Sequence, residues 1–193
     1  SMAAKGEHTR NAIIEAAAAL FYHQGYHATS YADIAAATGS GKGHVHYYFN
    51  AKPALLAAVV EHRRAGIRRL LARWSAECDA PCDCLQRFAA MIDDNAGDLA
   101  RYGCPMGTLN AELGKQEPEL QALARGMFTL FEDWLEARFG AFLAPDVARR
   151  RAAELMVMAQ GASLMAHSHH DPEIASKGAA HMRAWLRDLC PKP

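Results

Sequence analysis

Hydroxyl, cationic and imidazole side chains near the N terminus stand at the starts of two short segments of the chain. Thr29-Ser30 stands directly before a short apolar segment, and Lys42-Gly43-His44 opens the next short segment. A hydroxyl in the position of Ser30 can cap a helix N-terminus. Lys42 and His44 make the start of the second segment polar.

The five cysteines form a second group with potential chemistry, namely Cys78, Cys82, Cys84, Cys104 and Cys190. Because their number is odd and no secretion signal is read in the sequence, we do not expect a structural disulfide framework. The C-x3-C-x-C cluster from Cys78 to Cys84 could bind zinc or copper, form a switchable disulfide, or be an incidental exposed loop. A fourth metal ligand is not evident, so we expect no metal site and no cofactor.

Charge is distributed unevenly along the chain, although the formal net charge is zero. Residues 1–75 hold nine Lys and Arg against four Asp and Glu, whereas residues 76–193 hold twelve against seventeen. A basic N-terminal third attracts phosphate and an acidic remainder repels it. This asymmetry favours a protein with one face made for nucleic acid.

Hydrophobic periodicity predicts an all-α chain, because apolar residues recur at helical spacing and no alternating pattern lasts long enough for a strand. Gly25 is placed to end the first helix in a left-handed conformation, and Ser30 with Asp33 makes a capping-box arrangement before the second. We interpret residues 77–83 as a connection. Helices are expected at about residues 9–24, 31–37, 42–48, 52–74, 85–97, 105–113, 118–142, 146–169 and 172–189.

Two short helices around the turn Thr38-Gly39-Ser40-Gly41, preceded by an amphipathic helix, predict a helix-turn-helix module. The first short helix supports the second, which has to be exposed and polar at its start in order to enter the DNA major groove. Gly41 and Gly43 would allow close approach to DNA, although each glycine weakens a helix by up to about 1 kcal/mol. The basic N-terminal third agrees with this interpretation.

The stretch from Thr9 to Leu56 resembles the N-terminal domain of the TetR/AcrR family of transcriptional regulators. No single dipeptide carries the resemblance; the joint spacing of an Ala-rich helix, a Gly-Tyr turn, an Asp-Ile-Ala segment and an aromatic cluster does. The matching residues are Phe21, Gly25, Tyr26, Thr29, Ser30, Asp33, Ile34, Ala35, Gly39, Lys42, Gly43, Tyr47, Tyr48, Phe49 and Lys52.

This resemblance implies a DNA-binding surface. Thr29 and Ser30 would bind phosphate through hydroxyl and backbone N–H groups, and Tyr47 and Lys52 would hold the DNA backbone. The residues that the resemblance assigns to DNA binding are Thr29, Ser30, Lys42, Gly43, His44, His46, Tyr47 and Lys52.

The sequence departs from the family pattern at His44, His46 and Gly41, where the family usually has Thr, Tyr and Ser. The operator sequence therefore does not follow from the resemblance. His44 and His46 could contact base edges or adjacent phosphates, and for His46 a solvated side chain is the alternative. The two imidazoles could also make DNA affinity rise as the pH falls through their titration range.

For the rest of the chain, the resemblance implies a helical ligand-binding domain whose last helices form a four-helix interface with a second subunit. The residues support a dimer independently, because the segment 146–169 is apolar nearly all round and needs burial on more than one side. Methionine and aromatic side chains adapt to apolar ligands, and buried amides need partners. Candidate ligand-binding residues, each with ordinary core packing as its alternative, are Trp74, Phe88, Met91, Ile92, Asn95, Met106, Asn110, Phe128, Gln160 and His167.

The segment Gly103-Cys104-Pro105-Met106-Gly107 resembles a Gly-Cys segment of one TetR subgroup, in which some members respond to electrophiles or oxidants through a cysteine. Cys104 lies near an expected helix N-terminus, which would lower its pKa and favour the thiolate. A buried, inert cysteine in a turn is the alternative.

Motifs typical of enzymes were sought as a rival interpretation. The sequence has no Glu-x-x-His pair for a di-iron site, no Gly-rich phosphate loop, no G-x-S-x-G elbow and no H-E-x-x-H segment. We therefore do not expect an enzyme.

Together, these patterns predict a DNA-binding transcriptional regulator, most simply a repressor that a small-molecule effector releases from its operator. The alternative is a redox- or metal-responsive regulator that senses through Cys104 or the Cys78/Cys82/Cys84 cluster. Residues 8–54 are predicted to form the three-helix helix-turn-helix domain, and residues 55–190 the ligand-binding and dimerisation domain. The expected partners are double-stranded operator DNA, the effector and a second copy of the chain, with no membrane partner and a cytoplasmic location.

Overall fold

The computed structural model describes residues 1–193 and is entirely helical, which confirms the predicted all-α class. Ten α-helices follow one another without a β-strand. Their bounds are α1 Met2–His23, α2 Tyr31–Thr38, α3 Lys42–Tyr48, α4 Lys52–Glu77, α5 Pro81–Asp94, α6 Ala96–Tyr102, α7 Pro105–Leu113, α8 Pro118–Phe139, α9 Pro145–His169 and α10 Pro172–Leu189. None of these helices has the length and apolar character that crossing a membrane requires.

Several predicted helix boundaries differ from the structure. α1 begins at Met2, before the apolar periodicity starts, with the Ser1 hydroxyl accepting a hydrogen bond from the backbone N–H of Ala4. The helix predicted at residues 85–97 ends at Asp94, and a separate helix that was not predicted, α6, follows after Asn95 and runs to Tyr102. α5 also begins earlier than predicted because Pro81 occupies its first turn, where a proline needs no N–H partner.

The chain divides into two compact units, and the first comprises residues 1–66 and 108–127. In this unit α1 packs against α2, and α2 packs against α3. Gly25 and Gly39 have φ of +99° and +68°, so both turns use a conformation that favours glycine, as predicted for Gly25. Apolar side chains at helical spacing fill the core, namely Ile13, Ala17, Phe21, Ile34, Val45, Phe49, Leu55, Leu56 and Val59.

The second unit comprises residues 67–107 and 128–193. Here α10 packs against α9, α5 and α6, and α6 packs against α9. Its core is rich in aromatic rings. The ring centroids of Trp74 and Trp134 are 5.5 Å apart, and those of Phe88 and Phe131 are 5.7 Å apart.

Four of the five cysteines form two disulfides within the second unit, so the expectation of no disulfide framework was wrong. Cys78 pairs with Cys84 and Cys82 pairs with Cys190, with Cα–Cα distances of 5.5 and 6.1 Å. Cys82 and Cys84 lie in the first turn of α5 and not in a loop, and α10 ends next to them at Cys190. The sulfurs of the C-x3-C-x-C cluster are therefore bonded to other sulfurs and are not thiolate ligands for a metal in this structure.

Three helices contribute residues to both units, namely α4, α7 and α8. The compact units thus do not coincide with consecutive stretches of chain. The functional division into residues 8–54 and 55–190 remains a prediction.

Candidate DNA interface and effector domain

An open cleft of about 460 Å³ lies on the first unit beside the start of α2. It brings together five of the eight residues predicted to bind DNA, and it adds His27 and Asn50, which the sequence analysis did not single out. No sequence signal marked these two, since their place depends on how the turn before α2 folds against α3 and α4. The lining residues are His27, Ala28, Thr29, Ser30, Tyr31, Lys42, His46, Asn50 and Lys52.

A capping box forms the start of α2, as the spacing of Ser30 and Asp33 predicts. The Ser30 hydroxyl accepts a hydrogen bond from the Asp33 N–H at 3.1 Å, and the Asp33 carboxylate accepts one from the Ser30 N–H at 2.9 Å. The bond from the Ser30 backbone lowers the pKa of Asp33, and the Ser30 side chain adds to this effect. Ser30 is exposed, so its hydroxyl is accessible to a phosphate oxygen.

Thr29 does not fit the predicted hydroxyl contact to phosphate. It is only 1% exposed, its hydroxyl donates to the Gly25 carbonyl at 2.7 Å and it accepts a bond from the Gln24 amide at 3.3 Å. Its own backbone N–H donates to the Tyr26 carbonyl. Thr29 therefore stabilises the turn between α1 and α2. The sequence pattern predicted an exposed side chain here, but the fold buries it.

α3 presents polar side chains outward and buries only Val45. Tyr47 is 81% exposed, so its ring and its hydroxyl are open to solvent. A Cβ placed on Gly41 or Gly43 would meet no atom within 4 Å, so the space beside both glycines is open. The exposed residues of α3 are Lys42, Gly43, His44, His46 and Tyr47.

His46 and Lys52 both contact other residues of the first unit. The His46 ring lies 4.6 Å from the Tyr31 ring. The Lys52 ammonium group donates to the Tyr26 carbonyl and sits 4.4 Å from the centre of the Tyr26 ring. Burial lowers the pKa of Lys52, while the carboxylates of Glu112 and Asp33 act against this shift. Lys52 lines the cleft, but its charge is already used to hold the turn that contains Tyr26.

Most of the predicted ligand-binding residues gather in the core of the second unit. Trp74, Phe88 and Ile92 are buried there, and Met91, Met106 and Phe128 pack against them. Two amides behave differently from the prediction. Asn95 is exposed and its side chain donates to the Met91 carbonyl at 2.8 Å, so it is not a buried amide in need of a ligand. Asn110 is 9% exposed and belongs to the first unit.

Three residues of the second unit, Gln160, Cys104 and His167, take part in polar contacts. The Gln160 amide donates to the Cys104 sulfur at 3.5 Å, and a Cβ on Gly107 would fall 2.2 Å from the Gln160 amide oxygen. His167 Nδ1 is 3.2 Å from the Ala100 carbonyl oxygen. Cys104 is buried and is not part of a disulfide. Gln160 and Cys104 are therefore in contact, which their distant positions in the sequence did not indicate.

α9 carries apolar side chains on its outer surface as well as on its inner one. Val157, Leu164 and Met165 are 71%, 66% and 48% exposed, whereas Leu155, Met156 and other residues on the opposite side are buried. These exposed positions recur at helical spacing and form one stripe. A stripe of this kind on an otherwise packed helix is typical of a surface that meets another protein chain.

Comparisons with known proteins agree with this architecture. Residues 13–59 match the family described as bacterial regulatory proteins, tetR family, and residues 81–179 match the C-terminal domain described as transcriptional regulator LmrA/YxaF-like. The second match alone covers half of the chain.

Individual relatives point the same way. An HTH-type transcriptional regulator in the lacX 3' region of Lactococcus lactis is 29% identical over 154 residues, which cover 79% of each chain. The HTH-type transcriptional repressor Rv3405c of Mycobacterium tuberculosis is 36% identical over 106 residues, covering 53% of this chain and 52% of the repressor.

Among solved structures, a TetR-family regulator from Cytophaga hutchinsonii has the same fold, with a TM-score of 0.85 over 98% of both chains at 21% identity. The helix-turn-helix unit, the helical second unit and the two family matches lead to one conclusion. The chain belongs to the TetR family of bacterial transcriptional regulators, which are DNA-binding proteins and not enzymes.

Proposed function

We propose that this regulator is a homodimeric repressor that binds operator DNA through α3 and the cleft beside α2, and that a small molecule bound in the second unit releases it. The observation that carries the proposal is α3 itself, a helix that buries only Val45 and exposes its cationic and hydrogen-bonding side chains. The Mycobacterium tuberculosis relative is named a repressor, which supports repression over activation for this chain.

The exposed side chains of α3 suit the DNA major groove. Lys42 is a donor to guanine edges or phosphates, and His44 can donate to base edges or phosphates. Tyr47 projects from the surface and can donate its hydroxyl to a phosphate. Ser30 and the free N–H groups at the start of α2 offer further phosphate donors. Lys52 contributes mainly by holding the Tyr26 turn.

The exposed stripe of α9 supports the homodimer. Two recognition helices must reach half-sites about 34 Å apart on the same side of DNA, which needs two copies of the chain. Covering Val157, Leu164 and Met165 with the same stripe of a second copy would bury the apolar surface that a single chain leaves exposed.

The core of the second unit supports an apolar effector. Its aromatic and methionine side chains adapt to apolar compounds, and the Gln160 amide supplies a polar group that could orient one. The effector needs only to bind a released state more tightly than the DNA-bound state, by a few kcal/mol.

Selection from random duplex DNA tests this proposal. The purified protein should enrich a pseudo-palindrome, whereas a Lys42→Ala/Tyr47→Ala variant should enrich none and keep the wild-type thermal unfolding midpoint, since both residues are exposed. Lys52 is left unchanged, because its removal would disturb the Tyr26 turn. Equal enrichment by the two proteins would contradict the assignment of α3.

A second candidate is that thiol state is the signal, and the cysteine pairs favour it. Each disulfide forms when two thiols lose two electrons and two protons to an oxidant, for example a low-molecular-weight disulfide that is reduced to two thiols. If redox state is the signal, operator affinity of the wild type should differ between reduced and oxidised glutathione buffers. The difference should disappear in Cys104→Ser or in Cys78→Ser/Cys82→Ser/Cys84→Ser. If both variants show the same difference between the two buffers as the wild type, this candidate is ruled out.

A further inference from the structure

The turn between α1 and α2 is held by a carboxylate from a distant helix. Glu112, near the end of α7, accepts hydrogen bonds from the backbone N–H groups of Tyr26 and His27, each at 2.9 Å. These partners are separated from Glu112 by 86 and 85 positions in the sequence. A Cβ on Gly25 would approach Glu112 Oε1 to 3.1 Å, so the glycine leaves room for the carboxylate.

The same turn is held on its carbonyl side by α4. The Lys52 ammonium group donates to the Tyr26 carbonyl and lies over the Tyr26 ring. Backbone groups on both sides of Tyr26 therefore have charged partners, a carboxylate from α7 and an ammonium group from α4. Hydrogen bonds to charged groups are stronger than those between neutral groups, so this turn is fixed more firmly than an ordinary loop.

The held turn leads directly into the DNA-binding helices. Ser30 and Tyr31 follow it and begin α2. The Tyr31 hydroxyl donates to the carbonyl of Phe49, the residue that ends α3, at 2.8 Å. A displacement of the turn would thus pass through Tyr31 to the C-terminal end of α3, while Lys42 and Tyr47 themselves make no contact with Glu112.

We propose that Glu112 is a positioning residue for operator binding, which orients α2 and α3 by fixing the N–H groups of Tyr26 and His27 and touches no DNA itself. The proposal rests on the DNA-binding function proposed above. α7 contributes residues to both compact units, so a shift of α7 along its axis would move the Glu112 carboxylate and loosen operator binding.

Glu112→Gln tests the proposal because the two N–H groups are bound by different carboxylate oxygens, Oε1 and Oε2. An amide keeps an acceptor at one of these two positions and places an NH₂ donor at the other. Glu117→Gln is the matched control, since Glu117 also acts electrostatically on Tyr26, whereas the N–H groups of the turn donate to Glu112. Affinity is measured for the DNA that the wild type selects, well below each variant's unfolding temperature. Glu112→Gln should bind about tenfold more weakly, and Glu117→Gln as the wild type does.

Two further readouts separate positioning from general destabilisation. The dependence of affinity on salt should be the same for Glu112→Gln and the wild type, because no phosphate contact is removed. Hydrogen exchange at the Tyr26 and His27 amides should accelerate in Glu112→Gln and stay unchanged in Glu117→Gln. If Glu112→Gln does not fold, Glu112→Asp takes its place. It keeps the charge but withdraws the carboxylate by one methylene group, and it should lose less than the tenfold in operator affinity expected for Glu112→Gln.

The outcomes distinguish this inference from the proposed function. Wild-type affinity in folded Glu112→Gln and Glu112→Asp, or unchanged exchange at both amides, would overturn the role of Glu112 while DNA binding stands. If the wild type selects no DNA, the proposed function and the role in operator binding both fall, and amide exchange still reports whether the contact exists.

Discussion

Asp33 ties the stability of the first unit to pH through the hydrogen bonds that its carboxylate accepts from Ser30 and Gln24. Because its pKa is lower in the folded chain than in the unfolded chain, the capping box stabilises the fold above the unfolded value of about 4. This contribution is lost as the pH falls through the lower folded value. We expect the unfolding midpoint of the wild type to exceed that of Asp33→Asn near neutral pH, with the difference shrinking in acid.

The matched control is Ser30→Ala, which removes the other half of the capping box. It should destabilise the chain by about 1 kcal/mol in urea unfolding near neutral pH, and it should weaken the pH dependence attributed to Asp33. A difference between wild type and Asp33→Asn that stays constant from neutral to acidic pH would contradict this account.

Individual side chains were predicted well where their partners are local and poorly where they are not. Ser30 and Asp33 lie three residues apart, so spacing alone specified their hydrogen bonds. Thr29 and Lys52 were assigned to phosphate, but their hydroxyl and ammonium groups are occupied by the turn at residues 25–26. Glu112 gave no signal at all, because its partners are backbone groups that only the folded chain brings near.

Helix packing in the second unit depends on one glycine of α10. A Cβ on Gly178 would lie 2.5 Å from the Cβ of Ala162 on α9, and neither atom can rotate away. We expect Gly178→Ala to destabilise the chain by about 1–3 kcal/mol, because the two helices must move apart. Urea unfolding at a fixed protein concentration measures the change.

Ala162→Gly tests whether the contact with the Ala162 Cβ causes the loss of stability in Gly178→Ala. Combined with Gly178→Ala, it should restore part of the lost stability, giving a coupling energy of at least about 0.5 kcal/mol in a double-mutant cycle. Gly97→Ala is the control, since a Cβ there meets no atom within 4 Å. Strictly additive effects of the two changes would show that the contact is not responsible.

Helix bounds followed from the sequence wherever caps and breakers mark them. Ser30, Gly39 and the prolines that begin α7, α8 and α10 placed those helices correctly. The division at Asn95 was missed because the predicted helix was ended at Gly97, a glycine that in the structure lies inside α6. Pro81 was placed in a connection because the neighbouring cysteines and aspartates suggested a loop, although a proline is favoured in a first helical turn.

The Cys82–Cys190 disulfide constrains most of the second unit, since its ends are 108 positions apart. In the chain-entropy model a loop of this size contributes about 4.7 kcal/mol, and measured values are often smaller. We expect Cys82→Ser/Cys190→Ser to unfold at clearly lower urea concentration than the wild type under oxidising conditions. Under reducing conditions the two proteins should unfold at similar concentrations, as should Cys104→Ser and the wild type in both buffers.

Such a pairing could not be predicted from the sequence, because the expectation rested on an odd number of cysteines and on an assumed cellular location. Only the packing of α10 against α5 places Cys190 beside Cys82. If the wild type unfolds at the same urea concentration with and without reductant, the disulfide does not contribute to stability in solution.

The α9 stripe makes a prediction about assembly. Leu164→Arg places a charge where a second copy is expected to pack, so the dimer should dissociate at concentrations at which the wild type remains dimeric. Sedimentation equilibrium measures this, with Leu123→Arg as a control because Leu123 is also exposed, at 43%, but lies on α8. Equal dissociation constants for Leu164→Arg and the wild type would place the dimer surface elsewhere.

The chain passes from one compact unit to the other at three points, after Gly66, Gly107 and Met127. A chimaera that joined the N-terminal 54 residues of this protein to another regulator's sensor would therefore leave behind residues 108–127, including Glu112. To transfer the first unit with its turn intact, two separate segments of the chain must be grafted. A single recombination crossover should therefore not transfer its DNA-binding specificity to another regulator.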